Sequence, residues 1–477
     1  MKKNRILSMV LSFALLFTLF TSCDKTKDPN SSSLTPSSLT VSETLGEDEV
    51  VDMDGYKFVV ASPWQRNVPP RDATTFERLW HEQKEKVQED YNCEIVVESF
   101  YGSMEAMIPR ILAGDKIGDV INTISDMWMP AVGAGYLRAW EEVSDTVDIN
   151  DARWIYPNSA EVNGKHYVLS FERPGEIGTV LFYNKDVLKK AGITEDPARL
   201  ALEDKWDWDK FREMLQKTTM DTTNDGKKDV FGIASFTGYS DIAFALARSN
   251  NSGLLSVVDK IFTNSYEKSE FMEALNFYDT LVNTDKVFRI YPNMSDPETW
   301  NDMPKSETVF GEFKNGKLGF LSARMWIANQ QLKPYMENQY GMVLYPKGPK
   351  AEDYVADAST LGGFAIPITN KDYKKSAIIF NALAHPVEGY EDPEVMDEVI
   401  ADDFFQEGDK DSFAVYKLAL EKARVDFGYG VMPLYTGVNH AIVQSVFWRI
   451  DSPAAAIEGI KGIYNDDIKN AYKQLFD

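Results

Sequence analysis

The chain has 477 residues, 44% hydrophobic and 26% charged, which is ordinary for a globular protein and argues against both disorder and a polytopic membrane chain. This length corresponds to about three average domains or two large ones. With 50 Lys and Arg against 74 Asp and Glu, the formal net charge of −24 disfavours nucleic-acid binding. Two cysteines exclude a disulfide scaffold, and the four histidines form no HExxH-type motif.

Residues 1–22 have the layout of a secretory signal peptide. Lys2, Lys3 and Arg5 precede an apolar run over residues 6–20, which is short for a membrane span. The run ends at two small residues followed by Cys23, which resembles a bacterial lipobox, where the cysteine is lipidated and begins the mature chain. The alternative is ordinary cleavage nearby, with Cys23 incidental.

Residues 23–49 comprise this cysteine and a stretch rich in Ser, Thr, Pro, Lys and Asp, for which we expect a flexible tether because it lacks the apolar residues of a core. Cleavage before Cys23 removes three cations and takes the formal charge to −27. The predicted location is the extracytoplasmic face of the cell membrane, held by more than one acyl chain.

Strand and helix patterns then alternate along the chain. Strand patterns cover residues 55–61, 94–100 and 120–124, and helix patterns cover residues 76–91 and 104–113. This alternation predicts a parallel sheet with helices on its faces. Ligands bind beyond the carboxyl ends of such strands, which places Trp64 near residues 125–128.

Seven short motifs follow in one order: GDKIGDV (114–120), GYLRAW (135–140), NGKHYVLS (163–170), LFYNKDVLKKAGI (181–193), WDWDKF (206–211), FKNGKLGF (313–320) and LGGFAI (361–366). The series resembles the bacterial extracellular solute-binding proteins of ABC importers, and most of all the branch that takes up oligosaccharides. Its most specific member is the YNKD segment of residues 183–186. Gly118 and Ser170 stand where this family usually has proline.

The resemblance implies an α/β protein with the two-lobed, type II periplasmic-binding-protein-like fold and a hinge between the lobes. We predict an N-terminal lobe of residues 50–172 and 361–427 and a C-terminal lobe of residues 173–360 and 428–477. The chain is expected to cross between the lobes near residues 171–174, 357–361 and 425–429. Ligand then closes the cleft by bending the hinge.

A sugar has flat apolar faces and a rim of hydroxyls, so its site needs aromatic platforms together with hydrogen-bonding side chains. The candidate ligand-binding residues follow predicted strands or lie at the crossings: Trp64, Asp126, Trp128, Glu172, Arg324, Trp326, Gly362, Gly363 and Tyr429. The resemblance implies sugar stacking for Trp326. Maltose-type members also carry an aromatic residue and a carboxylate that hold sugar after the third strand, where Trp128 and Asp126 stand.

Several of these candidates have structural alternatives. Trp64 could pack in a core, Asp126 could cap a helix, and Glu172 could form a hinge ion pair. Arg324 could form a surface salt bridge, and the two glycines could serve turn geometry alone.

Residues 221–229, DTTNDGKKD, resemble a calcium loop. Asp221, Thr223, Asp225 and Asp229 supply oxygen ligands at alternating positions, and a glycine at the sixth position permits a tight wrap around Ca²⁺. A glycine also occupies the twelfth position, where such loops carry a carboxylate, so a simple hairpin turn is the alternative.

The predicted function is that of a monomeric, lipid-anchored binding protein that captures an oligosaccharide in the interlobe cleft and delivers it to an ABC permease. No catalytic residue is assigned, and no cofactor is expected apart from the calcium ion. The alternatives are a receptor of the same fold for peptides or other solutes, a ligand sensor for a signalling system, and an exported glycoside hydrolase. The last needs two carboxylates about 5–10 Å apart, and no motif identifies such a pair.

Overall fold

The computed structural model describes residues 50–62, 74–99, 104–154, 161–171, 177–236, 238–258, 261–291, 308–358 and 362–476. The predicted signal peptide, Cys23 and the tether lie outside the described residues, as do Trp64 and Glu172. Leu45–Asp477 is one compact unit that contains both hydrophobic cores, and it therefore has what it needs to fold on its own. Within the described residues, no helix has the length and hydropathy to span a membrane.

Two main sheets organise the protein. The strands are β1 (Tyr56–Ser62), β2 (Cys93–Ser99), β3 (Val120–Thr123), β4 (Leu137–Arg138), β5 (Glu161–Val162), β6 (Lys165–His166), β7 (Thr179–Asn184), β8 (Phe231–Ser235), β9 (Leu255–Val258), β10 (Ile261–Asn264), β11 (Leu318–Arg324), β12 (Tyr340–Val343), β13 (Ala356–Asp357), β14 (Gly363–Pro367) and β15 (Ala423–Arg424). The first sheet has the order β2-β1-β3-β14-β4 and the second the order β12-β7-β11-β8. Three further strand pairs, β5–β6, β9–β10 and β13–β15, lie apart from them.

Helices cover both sheets. The α-helices are α1 (Thr75–Asp90), α2 (Met104–Ala113), α3 (Ser125–Gly133), α4 (Lys185–Lys190), α5 (Pro197–Leu202), α6 (Trp208–Thr218), α7 (Tyr239–Ser249), α8 (Ser269–Asp279), α9 (Val309–Lys314), α10 (Tyr373–Leu383), α11 (Pro393–Phe404), α12 (Lys410–Glu421), α13 (Met432–Val438), α14 (Ser445–Phe447), α15 (Pro453–Gly459) and α16 (Asn465–Phe476). Short polar side chains set several helix starts; for example, Thr74 Oγ1 accepts the Glu77 N–H at 3.1 Å.

The first sheet confirms the pattern predicted from residues 55–124, since each predicted strand and helix is present within one residue of its expected bounds. In β1 and β3, successive side chains point to opposite faces. Phe58 and Val120 face α1 and α10 in one core, whereas Ala61 and Ile121 belong to the core on the other face.

The GDKIGDV motif holds the first sheet together through Asp119. This carboxylate is fully buried and accepts hydrogen bonds from the Val59 N–H at 2.8 Å and the Ser376 hydroxyl at 2.8 Å, and from the Tyr56 hydroxyl. Lys116 lies 2.8 Å away and supplies the compensating charge. Asp119 thus ties β1 to α10, which is a structural role for this part of the motif.

The YNKD motif has a comparable role in the second sheet. Every residue of β7 is buried, and Asn184 at its end caps α4 by accepting the Val187 N–H at 3.1 Å. Its amide also donates to the Phe313 carbonyl at 3.1 Å, while the Tyr183 hydroxyl donates to Asp196 at 2.6 Å. The motif therefore fixes how β7 enters α4.

Segments that join the two lobes meet at a buried ion pair. The Gly178 N–H, just before β7, donates to the Asp357 carbonyl at 2.7 Å, and β13 pairs in parallel with β15. From α7, Arg248 donates to the Asp357 carboxylate at 2.8 Å and to the Tyr429 hydroxyl at 3.0 Å. Arg248 and Asp357 are 6% and 5% exposed. This network lies next to the predicted crossings near residues 357–361 and 425–429.

Two helices pack differently from the predicted lobe boundaries. The boundaries assign α12 to the N-terminal lobe, yet it contacts β12 and α5, and its buried residues Val415, Tyr416 and Ala419 share the core of the second sheet. Conversely, α16 contacts α3 of the first lobe. An apolar helix face shows that a helix is covered but does not show which sheet covers it.

We expect Asp357→Asn to lower the free energy of unfolding by about 3–5 kcal/mol, because it leaves the Arg248 charge buried without its partner. Denaturant titration of the Leu45–Asp477 unit measures the change. The matched control is Glu98→Gln, which breaks the equally short Lys57–Glu98 pair, at 2.8 Å and about half exposed. That change should cost less than about 1 kcal/mol; equal costs for the two variants would contradict the structural role of the buried pair.

Candidate functional site

In each sheet, the edge at which a ligand is expected to bind lies on the side of the hinge. In the first sheet β1 and β3 end at Ser62 and Thr123, and the antiparallel strand β14 begins on the same edge. In the second sheet β8 and β11 end at Ser235 and Arg324, where the antiparallel strand β7 begins. Because ligands of α/β proteins bind beyond carboxyl strand ends, residues at these edges are the walls of the candidate cleft.

The second lobe contributes an aromatic wall. Phe236 directly follows β8, Trp326 follows β11, and Phe310 projects from α9. The Phe236 ring centroid lies 4.8 Å from that of Phe310 and 5.7 Å from that of Trp326, with the indole nearly perpendicular to it. All three rings are partly buried, so each keeps surface available. The structure thus places Trp326 in an aromatic cluster suited to the flat face of a ligand.

Arg324, the last residue of β11, adds a cation to this wall. Its side chain is partly buried, and none of the described residues forms a hydrogen bond or ion pair with its guanidinium group. The alternative of a surface salt bridge therefore finds no partner in the described part of the chain. A partly desolvated guanidinium with free donors is suited to binding hydroxyl or anionic oxygens of a solute.

A network of hydrogen bonds holds the aromatic wall in place. Arg289 makes a two-pronged contact with Glu312 on α9, with its Nη2 at 2.8 Å and its Nε at 2.9 Å from the two oxygens. The Tyr291 hydroxyl donates to the same carboxylate at 2.6 Å, and the Tyr239 hydroxyl accepts the Tyr291 N–H at 2.7 Å. Burial raises the pKa of Tyr239 to about 12, so its hydroxyl stays neutral. The helix that carries Phe310 is held in place before any ligand arrives.

Trp128 lies elsewhere. It is fully buried in α3, on the face of the first sheet that is lined by Ile121 and Ala365, together with Ile111 and Leu137. Its indole N–H has no hydrogen-bond partner among the described residues. No face of the ring is free to stack on a sugar in this structure, so its placement does not support the predicted stacking role. The side chain of Asp126 lies outside the described part of the chain.

Of the candidates at the predicted crossings, Tyr429 and Gly363 make structural contacts, and Glu172 lies outside the described residues. The Tyr429 hydroxyl is bonded to Arg248, its ring stacks on Tyr435 at 4.9 Å, and burial raises the pKa of this phenol. A Cβ atom at Gly363 would lie 2.6 Å from Val168 Cγ1, so glycine is required for the close approach of the preceding crossing segment. Gly362 stands beside it, at the start of β14.

The Asp221–Asp229 loop is exposed and is held together by its own side chains. Asp221 accepts the Gly226 N–H at 2.8 Å and the Thr223 N–H at 3.2 Å, while Asp229 accepts the Thr222 hydroxyl at 2.8 Å. Within the described ranges, no three His, Cys, Asp or Glu side chains are grouped to hold a metal, those of Asp225 and its neighbours included. These contacts fit the hairpin-turn alternative, and the calcium site stays a prediction.

Calcium removal tests the two interpretations directly. If the loop is a self-sufficient turn, EDTA should leave the melting temperature of the Leu45–Asp477 unit unchanged, and adding CaCl₂ afterwards should not raise it. The measurement is a thermal melt in chelator, with MgCl₂ as the control for ionic strength. A rise specific to Ca²⁺, lost in Asp221→Asn, would instead establish the metal site.

Phe236 and Phe310 are not among the residues predicted from the sequence. Phe236 follows a strand that ends at the ligand-facing edge, so the rule that selected Trp128 would also have selected it. Phe310 had no such signal, because α9 precedes a strand and its position over the edge depends on packing.

Residues 82–383 match the family described as bacterial extracellular solute-binding protein. No curated protein sequence matches the chain. Among known structures, it is similar to an ABC substrate-binding protein from Listeria monocytogenes in complex with cycloalternan, at 14% identity and a TM-score of 0.61, covering 89% of this chain and 100% of that one.

Two further structures have the same fold. UgpB from Mycobacterium tuberculosis, in complex with glycerophosphocholine, matches with a TM-score of 0.63 at 14% identity, over 87% of this chain and 98% of that one. The maltose/maltodextrin-binding domain MalE from Bdellovibrio bacteriovorus, bound to maltotriose, matches with a TM-score of 0.57 at 17% identity, over 88% and 100%. At such identities the likeness establishes the two-lobed fold.

Proposed function

The chain belongs to the bacterial extracellular solute-binding proteins, and on that basis we propose that it captures an oligosaccharide between its lobes and delivers it to an ABC importer. The choice of an oligosaccharide is supported by the wall formed by Phe236, Phe310, Trp326 and Arg324. This wall combines stacking surfaces with hydrogen-bond donors that have no partner among the described residues. Sugars bind by this combination. Two of the similar structures hold cycloalternan and maltotriose, which adds support.

Capture requires closure of the lobes. The closed state gains contacts from both walls at once, so ligand shifts the population toward closure. Because the aromatic wall is already held in place, little of its conformational entropy is lost on binding. We propose no turnover, since a binding protein releases its solute unchanged to its permease.

We further propose that Cys23 anchors the protein to the outer face of the cell membrane through lipid, that residues 24–49 act as the tether, and that the protein works as a monomer. This proposal rests on the lipobox-like sequence and the polar composition that follows it. A tethered receptor remains near the permease while its lobes stay free to bind solute.

One observation favours a second candidate solute. The Arg324 guanidinium has no partner among the described residues and suits a phosphate group as well as a hydroxyl, and the similar UgpB structure holds glycerophosphocholine. The net charge of −24 repels anions at long range, although a local guanidinium can outweigh that. We rank a phosphate-bearing solute second.

Titration of the Leu45–Asp477 unit with maltotriose, mannotriose, cycloalternan and glycerophosphocholine separates these candidates. We expect heat of binding with at least one oligosaccharide and none with glycerophosphocholine. Trp326→Ala should weaken that binding at least tenfold, which corresponds to about 1.4 kcal/mol, because it removes the stacking surface.

Trp128→Phe is the matched control for the aromatic wall. It should lower the melting temperature, since Trp128 is buried, but leave the affinity within about twofold of the parent protein. Binding confined to glycerophosphocholine and lost in Arg324→Gln would favour the second candidate. A loss of sugar affinity in Trp128→Phe alone would restore the sequence-based assignment and contradict the role of Trp326.

A further inference from the structure

We propose that the first lobe holds a second binding site, separate from the interlobe cleft, for a small uncharged aromatic molecule that carries one hydrogen-bonding group. The site is a cavity of about 380 Å³ between one face of the first sheet and the helices α1, α10 and α11. A cavity of this size falls within the range of small-molecule sites.

The walls of the cavity are rings and aliphatic chains from several elements. They include Phe58 and Val60 of β1, Leu79 and Trp80 of α1, and Phe380 and Leu383 of α10. Phe171 and Phe364 close one side, with their rings stacked at 5.3 Å and Phe380 edge-on to Phe171 at 5.6 Å. Such walls favour a flat apolar molecule, because its burial removes apolar surface from water on both partners.

Two buried amide side chains indicate that the ligand carries a polar group. Asn122, at the ligand-facing end of β3, lines the cavity and is only 7% exposed, and none of the described residues forms a hydrogen bond with its side chain. Gln83 of α1 is 8% exposed and donates to the Ala382 carbonyl at 2.7 Å, while its amide oxygen accepts no hydrogen bond from a described residue. Buried polar groups are normally paired, so these amides call for a partner inside the cavity.

Among the described residues, the cavity is lined by the predicted first lobe alone. Its lining residues come from residues 58–153, 171 and 364–396, and the aromatic wall of the second lobe contributes none of them. A ligand can therefore bind in the cavity without closure of the cleft. The proposed transport function differs in this respect, because it depends on both lobes.

The chemistry of the lining argues against a sugar or an ion as the occupant. Each sugar hydroxyl buried without a partner costs free energy, and most of the described lining residues are apolar. The guanidinium among these described residues, that of Arg153, is already paired with Asp151 at 2.8 Å and lies over the Trp154 ring. An uncharged molecule of about two fused rings, with a hydroxyl or amide, fits both the volume and the free amide groups.

The test is calorimetric titration of the Leu45–Asp477 unit with 2-naphthol, and with naphthalene as the probe that lacks the hydroxyl. We expect 2-naphthol to bind with one site per chain and more tightly than naphthalene. Asn122→Leu should weaken 2-naphthol binding about tenfold and leave naphthalene binding unchanged or tighter, since it removes the hydrogen bond but keeps the volume.

Thr123→Val is the matched control, because this buried polar residue is next in the same strand and faces the opposite core. It should leave 2-naphthol affinity unchanged. Ala384→Phe, which places a ring in the cavity, should abolish the binding of both probes, with thermal melts confirming that each variant is folded. Saturation of the cleft with its solute should not displace 2-naphthol.

Three results would overturn the proposal: no binding of 2-naphthol up to its solubility limit, unaltered binding in folded Asn122→Leu and Ala384→Phe variants, or competition between 2-naphthol and the cleft ligand. None of them bears on whether the cleft binds oligosaccharide, so the two proposals fail separately.

Discussion

The buried pair of Arg248 and Asp357 is the contact that holds together the segments next to two of the predicted crossings. Two opposite charges removed from water are stable only while they remain together, so the elements that carry them have little freedom to separate. Asp357 lies in a crossing strand that also accepts the Gly178 N–H, and Arg248 reaches the third crossing through Tyr429. The pair therefore fixes how α7, β13 and Tyr429 pack next to the predicted crossings.

The second sheet carries its aromatic cluster at the edge where β8 and β11 end. The second lobe brings a stiff aromatic wall, since Arg289 and Tyr291 both bind Glu312 on the helix that carries Phe310. The aromatic wall is stiff, whereas the lobes move relative to each other at the hinge. A receptor needs both properties, because recognition requires preorganised side chains and release requires two lobe positions that differ little in free energy.

The motifs that identify the family are mostly structural. Asp119 fastens β1 to α10, Asn184 caps α4, and Gly363 admits the neighbouring crossing segment. None of these needs to touch a solute. This explains how a chain can match the family over residues 82–383 while the motifs say little about what it binds. We expect the residues that distinguish solutes to lie after the strands, because connecting segments tolerate change better than the strands they join.

The sequence by itself determined the fold class and the bounds of β1, β2, β3, α1 and α2 within one residue, and it selected Trp326, which lies in an aromatic cluster. Alternating strand and helix periods are local properties, and a residue that follows a strand is placed by that strand. Tertiary packing alone decided that Trp128 is buried in a core, that Tyr429 is bonded to Arg248, that α12 covers the second sheet, and that Asn122 and Gln83 line a shared cavity. In each of these cases the outcome depends on which distant segment covers a side chain. The periodic pattern of apolar residues in the sequence does not indicate which segment that is.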